Sequence, residues 1–122
     1  MTNYKKLDAW IFSMKMFKEI YQITRTYPRE ELFGLASQTK RAAVSIPCNI
    51  AEGMGRRYKR DCLQFLHISR GSSYEVETLL NIALMTAIID QKKYDYIEKM
   101  LVDTVRLVNG LINYLENEPG LQ

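Results

Sequence analysis

Helix breakers are scarce in this chain and fall mostly between stretches of helical period, which leaves room for four long helices and little else. The prolines are Pro28, Pro47 and Pro119, and six glycines accompany them in 122 residues. No run alternates apolar and polar residues between turn signals as a half-buried strand would. The spacing predicts a first helix from about Leu7 to Thr26. Pro28 ends it, because the residue before a proline is pushed out of the helical region. A second is predicted from Phe33 to Met54, with Gly53 and Gly55 as stop signals. A third spans Lys59 to Ile89. The fourth is N-capped by Asp90 and runs to about Asn117, ahead of Pro119-Gly120. At about 1.5 Å per residue each rod is some 38 Å long. Four such rods with short joints predict an all-α, antiparallel up-down-up-down four-helix bundle. The length supports one core, so residues 1–122 form a single domain.

The longest stretch without a charge, Thr78 to Ile89, has twelve residues and is too short to cross a bilayer. No signal peptide is visible, and the expected location is the cytoplasm. Cys48 and Cys62 have no C-x-x-C partner, so neither a zinc site nor a disulfide framework is expected; both read as small buried residues. Residues 1–60 carry twelve Lys/Arg against five Asp/Glu, a balance of +7, while residues 61–122 carry five against nine, a balance of −4. Such asymmetry fits docking between subunits or an anionic partner for the basic half.

The apolar residues cover more than one face. On the fourth helix Ile97, Leu101, Thr104, Val108, Leu111 and Leu115 make a bundle seam, yet Met100, Leu107, Tyr114, Val105 and Ile112 lie outside it. On the first, Trp10, Met14, Phe17, Tyr21 and Thr24 mark one stripe, widened by Ile11, Phe12, Met16, Ile20 and Ile23. Surplus apolar surface of this kind predicts a homo-oligomer.

The second helix carries a polar stripe, Gln38, Arg41, Ser45, Asn49, Glu52 and Arg56, at spacings that place it on one face. Pro47 inside that helix predicts a kink and leaves carbonyls near Ala43 and Val44 for Ser45 or Asn49 to serve. The third helix supplies Ser72 and Glu75, with Glu75 expected to face Arg41 or another base across the bundle. Arg41, Ser45, Asn49, Glu52, Ser72 and Glu75 are read as a structural polar network. The alternative is a small-ligand or catalytic site using Glu52 and Glu75. Metal binding is not expected, because the single histidine, His67, lacks the Glu-x-x-His spacing of di-metal bundles. No Ser or Cys has an evident His–Asp pair, so no catalytic residue is assigned.

Between the second and third helices, Arg56, Arg57, Tyr58, Lys59 and Arg60 place four bases and an aromatic in five positions. Cations near a helix C-terminus interact favourably with its dipole, but four exceed that need. Arg and Lys there suit phosphate, and Tyr58 suits stacking on an unpaired base. The turn lacks both the dinucleotide and the phosphate-loop glycine patterns.

The run Ser45-Ile46-Pro47-Cys48-Asn49-Ile50-Ala51-Glu52-Gly53-Met54-Gly55-Arg56-Arg57 resembles a signature of the four-helix bundle family encoded within intervening sequences of bacterial 23S rRNA genes. Phe65-Leu66-His67-Ile68-Ser69-Arg70-Gly71-Ser72 with Glu75 resembles that family's second motif, F-L-x-I-A-x-G-S-x-x-E, with Ser69 in place of alanine. Tyr4-Lys5-Lys6-Leu7-Asp8-Ala9-Trp10 and Arg41-Ala42-Ala43-Val44-Ser45 are similar as well. The resemblance implies a ring-like homopentamer, no established enzymatic activity, and kinship with accessory proteins of diversity-generating retroelements, which bind a reverse transcriptase and nucleic acid. The expectation is a non-enzymatic, cofactor-free accessory protein that binds RNA or DNA through Arg56, Arg57, Tyr58, Lys59 and Arg60. A protein-interaction scaffold with no nucleic-acid role is the alternative.

Overall fold

A computed structural model describes residues 3–118. Four α-helices make up nearly all of it: α1 Asp8–Thr24, α2 Leu35–Met54, α3 Lys59–Met85 and α4 Gln91–Glu116. Single 3-10 turns precede α1 (Tyr4–Lys6) and α2 (Arg29–Glu31), and no strand occurs among the described residues. Each helix packs on its two neighbours in the order α1, α2, α3, α4 and back to α1, with no diagonal pairing among the described residues. Between α2 and α3 the pairs in contact are Gly53 with Cys62, Ile46 with Ser69 and Ser45 with Ser72. Between α3 and α4 they include Arg70 with Asn109 and Asn81 with Tyr94. In both sets residue numbers rise along one helix as they fall along the other.

The helix ends follow local chemistry. Asp90 caps α4 as the sequence predicts, its Oδ1 accepting the Lys93 N–H at 2.8 Å. The Glu31 carboxylate accepts the Leu35 N–H at 3.2 Å and so serves the start of α2, two residues later than the predicted Phe33. Helix α3 stops four residues before the predicted Ile89. Ala87 takes the left-handed conformation (φ 63°), and the Ile88 and Ala87 N–H groups bond back to the Ala83 and Leu84 carbonyls at 2.8 and 3.0 Å. This is a Schellman closure built on alanine where glycine is usual, which hides it from a sequence reading. Gly55, by contrast, ends α2 at φ −86°, a conformation open to any residue. The predicted role of Pro119-Gly120 lies outside the described residues.

The core stripes differ from those the sequence suggests. On α1 the buried set is Ala9, Ser13, Met16, Ile20, Ile23 and Thr24, while Met14 and Tyr21 are exposed. Large residues marked the wrong face because Ala9 and Ser13 turn inward, where small side chains suit close neighbours. On α4, Ile112 takes the place expected of Leu111, and the steps become four, three, four, four, three. Cys62 is buried, but Cys48 is exposed, contrary to expectation. Phe33 (93% exposed) and Met85 (79%) leave large apolar surface uncovered in the isolated chain.

Candidate nucleic-acid interface and the polar seam

The polar stripe of α2 divides into a paired middle and solvated ends. Ser45 Oγ lies 2.8 Å from Ser72 Oγ on α3, and Asn49 Nδ2 donates to both the Ser45 carbonyl (2.8 Å) and Ser45 Oγ (2.9 Å). One turn away, Ser69 Oγ donates to the Ile46 carbonyl at 2.9 Å. Pro47 is buried within an unbroken α2. The donors therefore serve the carbonyls of Ser45 and Ile46, just before the proline, and not those of Ala43 and Val44 as expected. Ser69, missed as a site residue, joins the seam. Its signal was available: a small hydroxyl amid an apolar face facing a helix that contains a proline.

The charged members expected in this network stand apart from it. Arg41 and Glu75 are exposed and make no ion pair among the described residues. Glu52 is exposed as well, and its carboxylate pairs with Arg56 at 2.7 Å one turn along α2. The seam is thus made of neutral groups, because small hydroxyls let two helices approach closely where a carboxylate would need room and a counter-charge. Nearby, a Cβ added at Gly53 would lie 3.0 Å from the Cys62 carbonyl oxygen and from Phe65 Cβ. His67 is exposed, its Nδ1 2.9 Å from the Arg70 guanidinium, which also donates to Asn109 at 3.0 Å. No group of three or more His, Cys, Asp or Glu side chains among the described residues is arranged to hold a metal.

The five residues of the basic turn are not equivalent. Arg56 is held by Glu52 and lies 4.6 Å over the Phe65 ring, a charge already matched on both sides. Lys59 is half-buried and donates to the Glu118 carbonyl at 3.2 Å. Arg57 and Arg60 are exposed and have no carboxylate partner among the described residues. Tyr58 is 48% exposed, with the Arg57 guanidinium 5.4 Å from its ring centre. The turn therefore offers two exposed guanidinium groups without a carboxylate partner among the described residues, Arg57 resting against one face of the half-exposed Tyr58 ring, a combination suited to phosphate and base contact.

A second polar group bridges α3 and α4 at the far end of the bundle. Asn81 Nδ2 donates to the Tyr94 hydroxyl (3.1 Å), which reaches Glu98 Oε2 at 3.5 Å. Burial, followed by the charge of Glu77, pushes the Glu98 carboxyl above the ordinary glutamate range. No helix among the described residues is long and apolar enough to cross a membrane.

Comparison with known proteins places this geometry in context. The chain superimposes on a crystal structure, at 1.70 Å resolution, of a protein of unknown function from the S23 ribosomal protein family of Bacteroides thetaiotaomicron VPI-5482. The TM-score is 0.80 at 22% identity, over 86% of this chain and 95% of that one, which establishes a shared fold. No curated protein matches the chain. The seam residues Ser45 to Ser72 and the basic turn all fall inside residues 5–110, the span matched by the family model described as 23S rRNA-intervening sequence protein, and the chain belongs to that family.

Proposed function

We propose that this protein is a non-enzymatic accessory or scaffold protein that binds nucleic acid through the turn between α2 and α3. It works as an antiparallel up-down-up-down bundle, bent at Pro47 and assembled into a ring-like homopentamer. The observation that carries this reading is the pair of exposed guanidinium groups of Arg57 and Arg60 flanking Tyr58, neither with a carboxylate partner among the described residues. Arg56 and Lys59, engaged within the chain, shape the turn and contribute less to the contact. Repetition of the turn around a ring multiplies weak phosphate contacts through avidity. The uncovered Phe33 and Met85 support assembly of several copies.

The test is binding to a structured RNA and a matched DNA duplex across salt concentration. Wild type is compared with Arg57→Gln/Arg60→Gln and with a variant that also carries Arg56→Gln and Lys59→Gln. Log affinity should fall steeply with log salt. The double variant should flatten that slope by about 0.7–0.9 per lost phosphate contact while the assembly persists. Equal, salt-insensitive binding by all three proteins would refute the phosphate surface and leave a protein partner, such as a reverse transcriptase, as the reading. Native mass spectrometry tests the ring, for which five copies of the chain are expected.

A further inference from the structure

A cleft of about 360 Å³ lies at the corner where α1 gives way to α2. Arg25, Arg29 and Lys40 contribute its charge, and Tyr27, Pro28 and Leu32 much of its apolar wall. Among the described residues no carboxylate lines it. The larger cleft between α1 and α4, by comparison, mixes Lys92 and Lys93 with Glu19 and Asp90 and so has no strong preference for one sign. Three bases around a largely apolar hollow make a single-sign site of the size that small ligands occupy.

Tyr27 gives a second, independent indication. It is only 7% exposed, and its hydroxyl is sealed from solvent with no hydrogen-bond partner among the described residues. Buried polar groups are normally paired, and an orphan on the wall of a basic cleft marks a position for a ligand acceptor. Burial also pushes the phenol up to about 12, so at neutral pH it keeps its proton and is available only as a neutral hydroxyl. The other hydroxyl on the wall, that of Thr24, is already committed to the Ile20 and Tyr21 carbonyls.

We infer that this cleft binds a small organic phosphate, with the phosphate on Arg25, Arg29 and Lys40, the wall yielding enough for the buried Tyr27 hydroxyl to donate to it, and the organic body against Pro28 and Leu32. The planar fork of each arginine matches phosphate oxygens, and the lysine adds a point charge. The Lys40 Nζ lies 5.7 Å from the centre of the exposed Tyr21 ring, a weak contact that a phosphate would replace. The site is separate from the basic turn. Lys40 and Arg56 are sixteen positions apart along α2 and its end, about 24 Å at helical rise.

The experiment is two-dimensional amide NMR and calorimetry on the intact protein, titrated with adenosine 5′-monophosphate, inorganic phosphate and adenosine. The expected result is saturable binding of the monophosphate, weaker binding of phosphate and none of adenosine, with shifts centred on Arg25 to Leu32 and Lys40. Arg29→Gln/Lys40→Gln should lose about tenfold or more in affinity. Tyr27→Phe, which deletes an unpaired hydroxyl and keeps the ring, should retain the melting temperature and lose about three- to tenfold. Arg57→Gln/Arg60→Gln should bind the monophosphate unchanged. Shifts confined to residues 56–60, or affinity unaltered in both cleft variants, would overturn the site. Displacement of the monophosphate by an oligonucleotide lacking terminal phosphates would overturn the small-molecule assignment.

Discussion

Alanine at Gly53 and alanine at Gly71 should move stability in opposite directions, although the chemical change is the same. Gly71 and Gly110 have nothing within 4 Å of where a Cβ would lie, so substitution there adds helix propensity alone. The gain is about 0.8–1 kcal/mol, most of it from reduced freedom of the unfolded chain. At Gly53 the added carbon meets the Cys62 carbonyl oxygen and Phe65 Cβ, both at 3.0 Å. Neither neighbour is the free end of a flexible side chain, so α2 and α3 must separate by a few tenths of an ångström. Overpacking of that kind costs about 1–3 kcal/mol, and the propensity gain is small because Gly53 lies one residue from the end of α2. Gly71→Ala should therefore exceed Gly53→Ala by about 2–4 kcal/mol, a gap of several degrees in melting temperature for a domain of this size. Thermal and urea unfolding of the two variants and of Gly110→Ala, at one protein concentration, measure it. Equal stabilisation at Gly53 and Gly71 would refute the close approach of α2 and α3 at that point.

Other expectations are simpler to state. Ala87→Gly should stabilise by about 1 kcal/mol, because it relieves a left-handed alanine without touching the Schellman bonds, and chemical denaturation would report it. Asp90→Ala should cost about 1 kcal/mol through loss of the bond to the Lys93 N–H, while Asp90→Ser should recover most of it. Glu98 has a raised carboxyl in the fold, so the folded state holds that proton more tightly than the unfolded chain. Its contribution is fully present below the unfolded glutamate value and is lost as pH rises through the raised folded one. Melting temperature followed across that window should fall less steeply with pH in Glu98→Gln than in wild type.

Punctuation and caps carried most of the fold in readable form. Asp90 stands where local chemistry puts it, since a carboxylate cap needs only its own following amides, and α3 starts at Lys59 as predicted, after an extended Tyr58. The stop after Met85 was illegible because alanine rarely closes a helix in the left-handed conformation. The candidate site was legible in position but not in rank. Five residues of the turn look alike in sequence, and only the packing of Phe65, the reach of Glu52 and the passage of Glu118 separate the engaged Arg56 and Lys59 from the free Arg57 and Arg60.

What the sequence by itself determined was the number of helices, their approximate limits and the basic character of the turn, all consequences of interactions within a few residues of the chain. Tertiary structure alone decided which face of α1 is buried, which hydroxyls pair across α2 and α3, and that Arg25, Arg29, Lys40 and an unpaired Tyr27 share one cleft. Those outcomes depend on distances between helices, and such distances are set by the sizes of side chains far apart in the chain, which no local pattern records.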